Sequence, residues 1–328
     1  MKAWLFHPAQ QILEQVERAI PEPGPQQLLV KVRAASLNRG EFLVGGSPAP
    51  RICGMEAAGE VVGWGAQVPF PAAFEPTPGL RVMGRASGGF AEFALIDAYD
   101  AMPIPEKLAW EEAASIPIAY LVAYDMLVVG ASLAEGEWML IAGASSGVGV
   151  ACLQMGKVLG ATVIGTSSSP EKLERLAAAG LDYGVCAQGG DFVQAVRATT
   201  GGRGVDLAIN NLGGSAFSAC VAALRFQGRL AQVGFVDGIR QAALDLEQLH
   251  ALRLKLFGVS NKWRVGEQRA LTVRGFARDM LPLAGRGELR PLIDQVFDFE
   301  ALPLAHATML ANRHVGKLVI RMTAAQER

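Results

Sequence analysis

The chain has 328 residues, of which 51% are hydrophobic, and its formal net charge at pH 7 is −1. This length suggests about two domains. The near-neutral charge, without a lysine or arginine block, argues against a nucleic-acid or anionic-membrane partner. No apolar run approaches the roughly 20 residues of a membrane span, and the apolar part of the N-terminus is too short for a signal peptide. We therefore expect a cytoplasmic protein whose partner is a small molecule.

The first part of the chain reads as short β-strands joined by Gly and Pro turns. Apolar or alternating runs of strand length lie at 26–36, 59–64, 80–84 and 90–97. The Pro-rich stretch from Gly63 to Gly79 predicts an irregular surface loop. These features predict a mostly-β first domain.

The sequence pattern changes near Trp110, where a helical stretch begins that Pro117 should break. Six apolar strand-length segments then alternate with helical ones: 138–142, 162–166, 183–187, 205–210, 229–234 and 254–259. This alternation predicts an α/β fold with a doubly wound, six-stranded parallel sheet. We expect residues 118–259 to form this domain, and residues 1–117 and 260–328 to form the other.

The cysteines and histidines are scattered. The four cysteines stand at 53, 152, 186 and 220, and none belongs to a C-x-x-C pair. The four histidines are equally dispersed. The sequence therefore predicts no metal site.

A turn of small residues follows the first strand of the predicted sheet. That strand ends at Ala142, and a helix should run to about Leu159. Small residues let a pyrophosphate approach the backbone, and the free amides at a helix N-terminus attract it. The sequence thus predicts dinucleotide contacts from Ala144, Ser145, Ser146, Gly147, Val148 and Gly149; the alternative is an ordinary strand-to-helix turn.

The end of the next strand indicates which dinucleotide is bound. An acid about 20 residues beyond the glycines would bind the adenine ribose, but this chain has Thr166, Ser167 and Ser168 there. Hydroxyls accommodate a 2′-phosphate, and Lys172 can supply a cation, so we expect NADP(H). The alternative is local, because Ser169 and Pro170 are also a good helix start.

Two further turns follow strands of the predicted sheet. Asn211, Leu212 and Gly213 follow one strand, and Gly234, Phe235 and Val236 end or follow the next. Ligands bind outside the carboxyl ends of strands in such sheets, so we expect both turns to line the cofactor. The alternative is that both are simple turns.

Seven segments in this order resemble the medium-chain dehydrogenase/reductase superfamily, in particular its zinc-free quinone oxidoreductase branch. They are AASLN (34–38), GMEAAGEV (54–61), GGFAEFALI (88–96), EAASIPIAYLVAYDML (112–127), GASSGVGVACLQMGKVLGA (143–161), GGRGVDLAINNLGG (201–214) and GRLAQVGF (228–235). The resemblance covers nearly the whole chain. It implies a GroES-like catalytic domain and an inserted Rossmann domain that binds the nucleotide.

The resemblance also implies site residues. Zinc-dependent members carry a Cys near the position of Asn38 and a His at that of Met55, so the departures imply a zinc-independent reaction. Asn38 is implied as a polar group near the nicotinamide and is the candidate catalytic residue, with a turn asparagine that satisfies backbone groups as the alternative. Lys317 matches a family Gly-Lys near the cofactor, with a solvated strand-end lysine as the alternative.

Three side chains are candidates for the substrate pocket. Phe42 and Trp263 are flat enough to wall an aromatic substrate, and Tyr120 lies on the helical stretch expected to face the cleft. Core packing is the alternative for each aromatic ring. We also expect a homodimer, with the apolar segment 254–259 as the candidate sheet edge.

Three functions agree with this reading. The first is an NADPH-dependent quinone reductase, and the second is an NADPH-dependent reductase of an enoyl, enone or alkenal C=C bond. Both deliver a hydride to an electron-poor partner without a metal. The third is an NADPH-binding protein with a structural or redox-sensing role and no turnover.

Overall fold

The computed structural model describes residues 1–42, 49–68, 75–261 and 263–322. The strands are β1 (Lys2–His7), β2 (Ile12–Glu17), β3 (Gln27–Ser36), β4 (Arg51–Ile52), β5 (Glu56–Trp64), β6 (Arg81–Ser87), β7 (Phe93–Asp97), β8 (Met102–Pro103), β9 (Trp138–Ala142), β10 (Thr162–Ser167), β11 (Tyr183–Cys186), β12 (Val205–Asn210), β13 (Leu224–Gln232), β14 (Lys255–Gly258), β15 (Ile293–Asp298) and β16 (Lys317–Arg321). The helices are α1 (Trp110–Ala114), α2 (Ala119–Tyr124), α3 (Gly147–Val158), α4 (Pro170–Ala178), α5 (Val193–Thr199), α6 (Gly214–Ala222), α7 (Leu246–Ala251), α8 (Glu267–Asp279), α9 (Leu281–Arg286) and α10 (Leu302–Leu310), and a π-helical segment covers Asp125–Gly130.

The chain divides into two compact units, one of Met1–Leu121 with Val265–Arg328 and one of Val122–Arg264. The first unit is mostly β. Its larger sheet has the order β15-β16-β3-β5-β6-β7, and β3 also pairs with β7, so β3, β5, β6 and β7 close on themselves. Because β16 pairs with β3, the end of the chain completes this sheet. The unit's core packs the rings of Phe6, Phe42 and Phe90.

The second unit contains the six-stranded sheet, with the order β11-β10-β9-β12-β13-β14 and parallel pairing throughout. The residues of β12 are all buried, because helices cover both faces of a parallel sheet. The chain moves outward from β9 in one direction and then restarts beside it at β12. The predicted α/β fold with a doubly wound sheet is therefore confirmed.

Some predicted boundaries are wrong. β13 begins at Leu224 and not near Arg229, because the pairing between β12 and β13 is irregular there. The loop predicted from Gly63 begins later, because β5 continues through Trp64; residues 69–74 of that loop lie outside the described residues. The break predicted at Pro117 is confirmed, since α1 ends before it and α2 begins after it. No helix in the described part of the chain is long and apolar enough to cross a membrane.

Candidate functional site

Two turns lie side by side where the sheet of the second unit changes direction. Ala142 at the end of β9 is the register partner of Asn210 at the end of β12. The turn 143–146 follows β9, and the turn 211–213 follows β12. Ligands of doubly wound sheets bind at this switch point, outside the carboxyl ends of the strands. The structure thus brings the two predicted turns to the same place.

The turn after β9 depends on Gly143, Ser146 and Gly149. Gly143 has a φ of +78°, which favours glycine. The Ser146 hydroxyl caps α3, because it accepts a hydrogen bond from the Gly149 amide at 3.0 Å. A Cβ atom at Gly149 would lie 2.6 Å from the carbonyl oxygens of Gly143 and Ala144. Only glycine therefore lets α3 start this close to the turn.

The start of α3 leaves amides available to a ligand. The N–H groups of Ser145, Gly147 and Val148 donate to no protein acceptor among the described residues. These three residues are half-buried, whereas Ala144 is buried. Unpaired amides at the N-terminus of a helix favour an anion such as a pyrophosphate.

The turn after β12 contains two asparagines with different roles. The Asn210 side chain accepts from the amides of Leu212 and Gly213 at 3.1 and 3.2 Å, and it donates to the Gly213 carbonyl at 2.8 Å. Asn210 thus shapes the turn, a role that the sequence analysis missed. Asn211 is also buried, but its side-chain nitrogen has no hydrogen-bond partner within the described ranges. A buried donor without a partner is uncommon, and here it suits a ligand that supplies the acceptor.

The segment after β13 packs closely on this turn. A Cβ atom at Gly234 would lie 2.5 Å from the Asn211 carbonyl oxygen, so glycine is needed there. Phe235 and Val236 are about half exposed. Asp237, which the sequence analysis also missed, accepts hydrogen bonds from the amides of Ser215 and Ile239, each at 2.8 Å. The Asp237 carboxylate therefore holds this segment against the start of α6.

We call residues 166–169, at the end of β10, the serine turn. The hydroxyls of these residues differ in burial and in hydrogen bonding. The Thr166 hydroxyl is buried and accepts from the Gly143 amide at 3.2 Å, so it supports the glycine turn. The Ser167 hydroxyl accepts from the Ser169 amide at 3.3 Å, whereas Ser168 is exposed.

Ser169 and Pro170 begin α4, as the alternative interpretation of the serine turn expected. Ser169 caps the helix by accepting from the Lys172 amide at 3.2 Å. Its hydroxyl also donates to the Glu171 carboxylate at 2.5 Å, which lowers the pKa of Glu171. Lys172 is half-buried in the first turn of α4. The phosphate contacts of Ser168 and Lys172 stay predictions.

The first unit contains a buried polar cluster that includes two predicted site residues. Lys317 is buried, so the alternative of a solvated strand-end lysine is wrong. Its ammonium donates to Asn38 Oδ1 at 3.0 Å and to Glu56 Oε1 at 2.9 Å. The Asn38 amide nitrogen in turn donates to Glu56 Oε1 at 2.7 Å. The cofactor contacts of Asn38 and Lys317 and the catalytic role of Asn38 stay predictions, while the structure shows both side chains engaged within the protein.

The three predicted pocket residues have different surroundings. Phe42 is buried and packs edge-on against Phe6, and its ring centroid lies 4.4 Å from that of His306. Tyr120 is also buried, whereas Trp263 is 83% exposed. Phe42 therefore contributes to the core of the first unit, and a role in a pocket stays a prediction for all three.

Glu41 is a second buried acid in the first unit. Its Oε1 atom accepts from the Gly54 amide, while Oε2 has no hydrogen-bond partner among the residues that the structure describes. Burial raises the pKa of Glu41 to about 7, so its carboxyl stays protonated in acidic solution. Within the described ranges, no three His, Cys, Asp or Glu side chains come together as they would to hold a metal ion.

Two family models match the chain. Residues 24–106 match the alcohol dehydrogenase GroES-like domain, and residues 147–264 match the zinc-binding dehydrogenase model. The second match covers most of the unit with the parallel sheet. The predicted GroES-like domain and Rossmann domain are therefore confirmed.

The chain is similar to a curated relative and to a solved structure. The chain is 34% identical over 308 residues to the spectinabilin polyketide synthase system protein NorB of Streptomyces orinoci. The matched region covers 92% of this chain but only 13% of NorB. The mycobacterial Rv1454c structure complexed with NADPH is 26% identical, with a TM-score of 0.86 and coverage of 98% and 100% of the two chains.

Two further solved structures are similar. An NAD-dependent alcohol dehydrogenase is 27% identical, with a TM-score of 0.84 and coverage of 98% and 100%. The CurK enoyl reductase is 24% identical, with a TM-score of 0.83 and coverage of 98% and 99%, a likeness of fold. The two family models match in succession along the chain, and they and these neighbours agree with the resemblance that the sequence motifs indicated. The chain belongs to the medium-chain dehydrogenase/reductase superfamily.

Proposed function

We propose that the chain is an NADPH-dependent, zinc-independent oxidoreductase that reduces a quinone or a similar electron-poor acceptor. The observation that carries the proposal is the switch point of the sheet. There the amides of Ser145, Gly147 and Val148 and the Asn211 side-chain nitrogen, all without a partner in the described part of the chain, follow adjacent strands. A dinucleotide satisfies both sets of donors, with its pyrophosphate at the start of α3.

NADP(H) is the nucleotide that this chain fits best. The strand β10 ends in Thr166 and Ser167, and no acid follows until Glu171. A carboxylate at the strand end would bind a ribose hydroxyl and repel a 2′-phosphate. The structural neighbour Rv1454c is complexed with NADPH, which supports the predicted cofactor, although another neighbour is NAD-dependent. The serine turn of this chain therefore decides in favour of NADP(H).

Zinc independence is supported by the buried polar cluster. Asn38 and Met55 stand where zinc-dependent members of the superfamily place a Cys and a His. The Lys317 ammonium lies 3.0 Å from Asn38 Oδ1, and a cation there would repel a divalent metal ion. The matched zinc-binding dehydrogenase model begins at residue 147, and these three residues lie outside the matched range.

In a zinc-independent reaction, the proposed role of the chain's own groups is to bind and orient the reactants. Bound NADPH supplies a hydride. The amides of α3 and the Asn211 side chain would bind and orient the nucleotide. The Lys317 ammonium already donates to three protein acceptors. An acceptor whose reduced form spreads its negative charge suits such a site, and quinones have this property.

A second candidate is the reduction of a C=C bond conjugated to a carbonyl. The match to NorB, a polyketide synthase system protein, favours it, and CurK shares the fold and is an enoyl reductase. The chain spans about one-eighth of NorB, so this function also stays a proposal. The reduced enone or enoyl group is again a delocalised anion.

A substrate panel tests the proposal. NADPH oxidation would be followed at 340 nm with benzoquinones, 2-alkenals and enoyl thioesters, with NADH as the matched cofactor control. Turnover with quinones supports the first candidate, and turnover only with alkenals or thioesters supports the second. Tight NADPH binding without turnover on any acceptor would instead support a structural or redox-sensing role.

We also propose a homodimer. The strand β14 ends the six-stranded sheet and pairs only with β13 among the described residues. Its free side presents unpaired backbone groups, which a second copy can pair. Light scattering should give twice the mass of one chain, and the mass of one chain would contradict this proposal.

A further inference from the structure

One buried carboxylate joins four segments of the first unit. Glu56 lies on β5 and is fully buried. Its Oε1 atom accepts from the Ser36 hydroxyl, from Asn38 Nδ2 at 2.7 Å and from Lys317 Nζ at 2.9 Å. Its Oε2 atom accepts from the Ile118 amide at 2.7 Å. Glu56 therefore connects the end of β3, the start of β16 and the segment between α1 and α2.

Lys317 balances the charge of this carboxylate and uses all of its donors. Its ammonium donates to Glu56 Oε1, to Asn38 Oδ1 and to the Leu37 carbonyl at 2.9 Å. Removing two charges from water costs free energy, and a buried ion pair often recovers no more than that cost. The pair therefore needs a reason beyond stability, and the geometry that it fixes is such a reason.

The network fixes two candidate parts of the reaction site. Asn38 is held at both ends of its amide, by Lys317 at the oxygen and by Glu56 at the nitrogen. Ile118 stands one residue before α2, the helix that carries Tyr120. The same carboxylate thus sets the side-chain orientation of Asn38 and the starting point of α2.

We propose that Glu56, neutralised by Lys317, is a positioning residue that holds Asn38 and the start of α2 in the geometry that the reduction requires. This inference rests on the proposed function, and it assigns to the pair a part in turnover. The turns predicted to bind the pyrophosphate and the adenosine phosphate belong to the other unit, so NADPH affinity should depend on the pair far less than kcat does.

The test uses the full-length protein with the variants Glu56→Gln and Glu56→Gln/Lys317→Met. In Glu56→Gln, the NH2 group of the new side chain takes the place of Oε2 and faces the Ile118 amide N–H. The hydrogen bond from Ile118 is therefore lost. The double variant leaves no buried charge unpaired, which keeps it folded. We expect kcat to fall at least tenfold in both variants, while the Kd for NADPH changes less than twofold and the circular dichroism spectrum is unchanged.

Glu60→Gln is the matched control, because Glu60 lies on the same strand and forms a half-buried pair with Arg33 at 2.8 Å. This variant should keep the wild-type kcat. A folded double variant with wild-type kcat would overturn the inference and leave the proposed function standing. Failure of the wild-type protein to reduce any acceptor would overturn the proposed function, and the inference with it.

Discussion

Asn210 and Asn211 are neighbours in the chain and are both buried, but their side chains have opposite hydrogen-bonding states. The Asn210 side chain is engaged with the Leu212 and Gly213 backbone and with Gln232. The Asn211 side-chain nitrogen has no hydrogen-bond partner in the part of the chain that the structure describes. A polar group that stabilises a turn and one that is kept for a ligand should therefore respond differently to the same substitution.

The variant Asn211→Leu should weaken NADPH binding without destabilising the protein. Removing a buried donor that lacks a partner leaves the free energy of unfolding unchanged or raises it. Loss of one hydrogen bond to a ligand costs about 1 kcal/mol or more, which corresponds to a rise in Kd of about fivefold or more. Fluorescence titration with NADPH and urea unfolding measure the two effects.

Asn210→Leu is the matched control for this substitution. It leaves the Leu212 and Gly213 amides without their acceptor, so it should lower the free energy of unfolding by about 1–3 kcal/mol. If Asn211→Leu destabilised the protein as much as Asn210→Leu, or bound NADPH as tightly as the wild type, then Asn211 is not a nucleotide contact.

Gly149→Ala should damage the nucleotide turn. The added Cβ atom would meet two backbone carbonyl oxygens at 2.6 Å, and backbone atoms cannot move aside as a flexible side chain can. Overpacking of this kind costs about 1–3 kcal/mol, and we expect a lower melting temperature together with weaker NADPH binding. Gly258→Ala, in open space on β14, should change neither quantity. Equal behaviour of the two variants would show that α3 tolerates the shift.

Lys172→Glu tests how the chain distinguishes the two nicotinamide cofactors. If Lys172 touches the 2′-phosphate, the KM for NADPH should rise far more than that for NADH, which lacks this group. Arg175→Glu makes the same charge change in the last turn of α4 and should affect both cofactors less. Equal rises for NADPH and NADH with Lys172→Glu would place Lys172 away from the phosphate.

Glu41 should make the protein less stable as the pH rises. Burial raises the pKa of Glu41 from 4.5 in the unfolded chain to about 7. Between these values the unfolded chain has released a proton that the native protein keeps. The contribution of the Glu41 carboxyl to the free energy of unfolding is therefore complete below pH 4.5. It is lost as the pH rises through 7, by on the order of 3 kcal/mol at most.

Glu41→Gln cannot lose this proton, so its free energy of unfolding should exceed that of the wild type progressively from pH 5 to pH 8. Urea unfolding at each pH measures the difference. Glu22→Gln, at an exposed position, should follow the wild type throughout. Parallel curves for the wild type and Glu41→Gln would show that the Glu41 carboxyl is already ionised in the native protein.

The sequence was most informative where the pattern is local. The six strands of the parallel sheet, the break at Pro117 and the cap at Ser169 follow from residues a few positions apart. The Glu56–Lys317 pair could not be predicted, because its partners stand 261 residues apart and no local pattern shows that they meet. Glu41 was overlooked for a similar reason, since a charged residue near a turn is usually exposed.

The turn after β12 was predicted only in part. Its position after an apolar strand predicted that Asn211 is near a ligand. The sequence pattern does not reveal that Asn210 shapes the turn, because two consecutive asparagines have the same chemistry and only their backbone surroundings separate them. The early start of β13 was missed because an irregular pairing leaves no periodic signal.

The residues of the serine turn have two different roles. Ser167 and Ser169 use their hydroxyls to accept from backbone amides, whereas the exposed Ser168 forms no side-chain hydrogen bond among the described residues. Position 168 can therefore vary during evolution without disturbing the start of α4. A substitution at this exposed site would leave the hydrogen bonds of Ser167 and Ser169 unchanged, so the scaffold beneath it would be inherited intact.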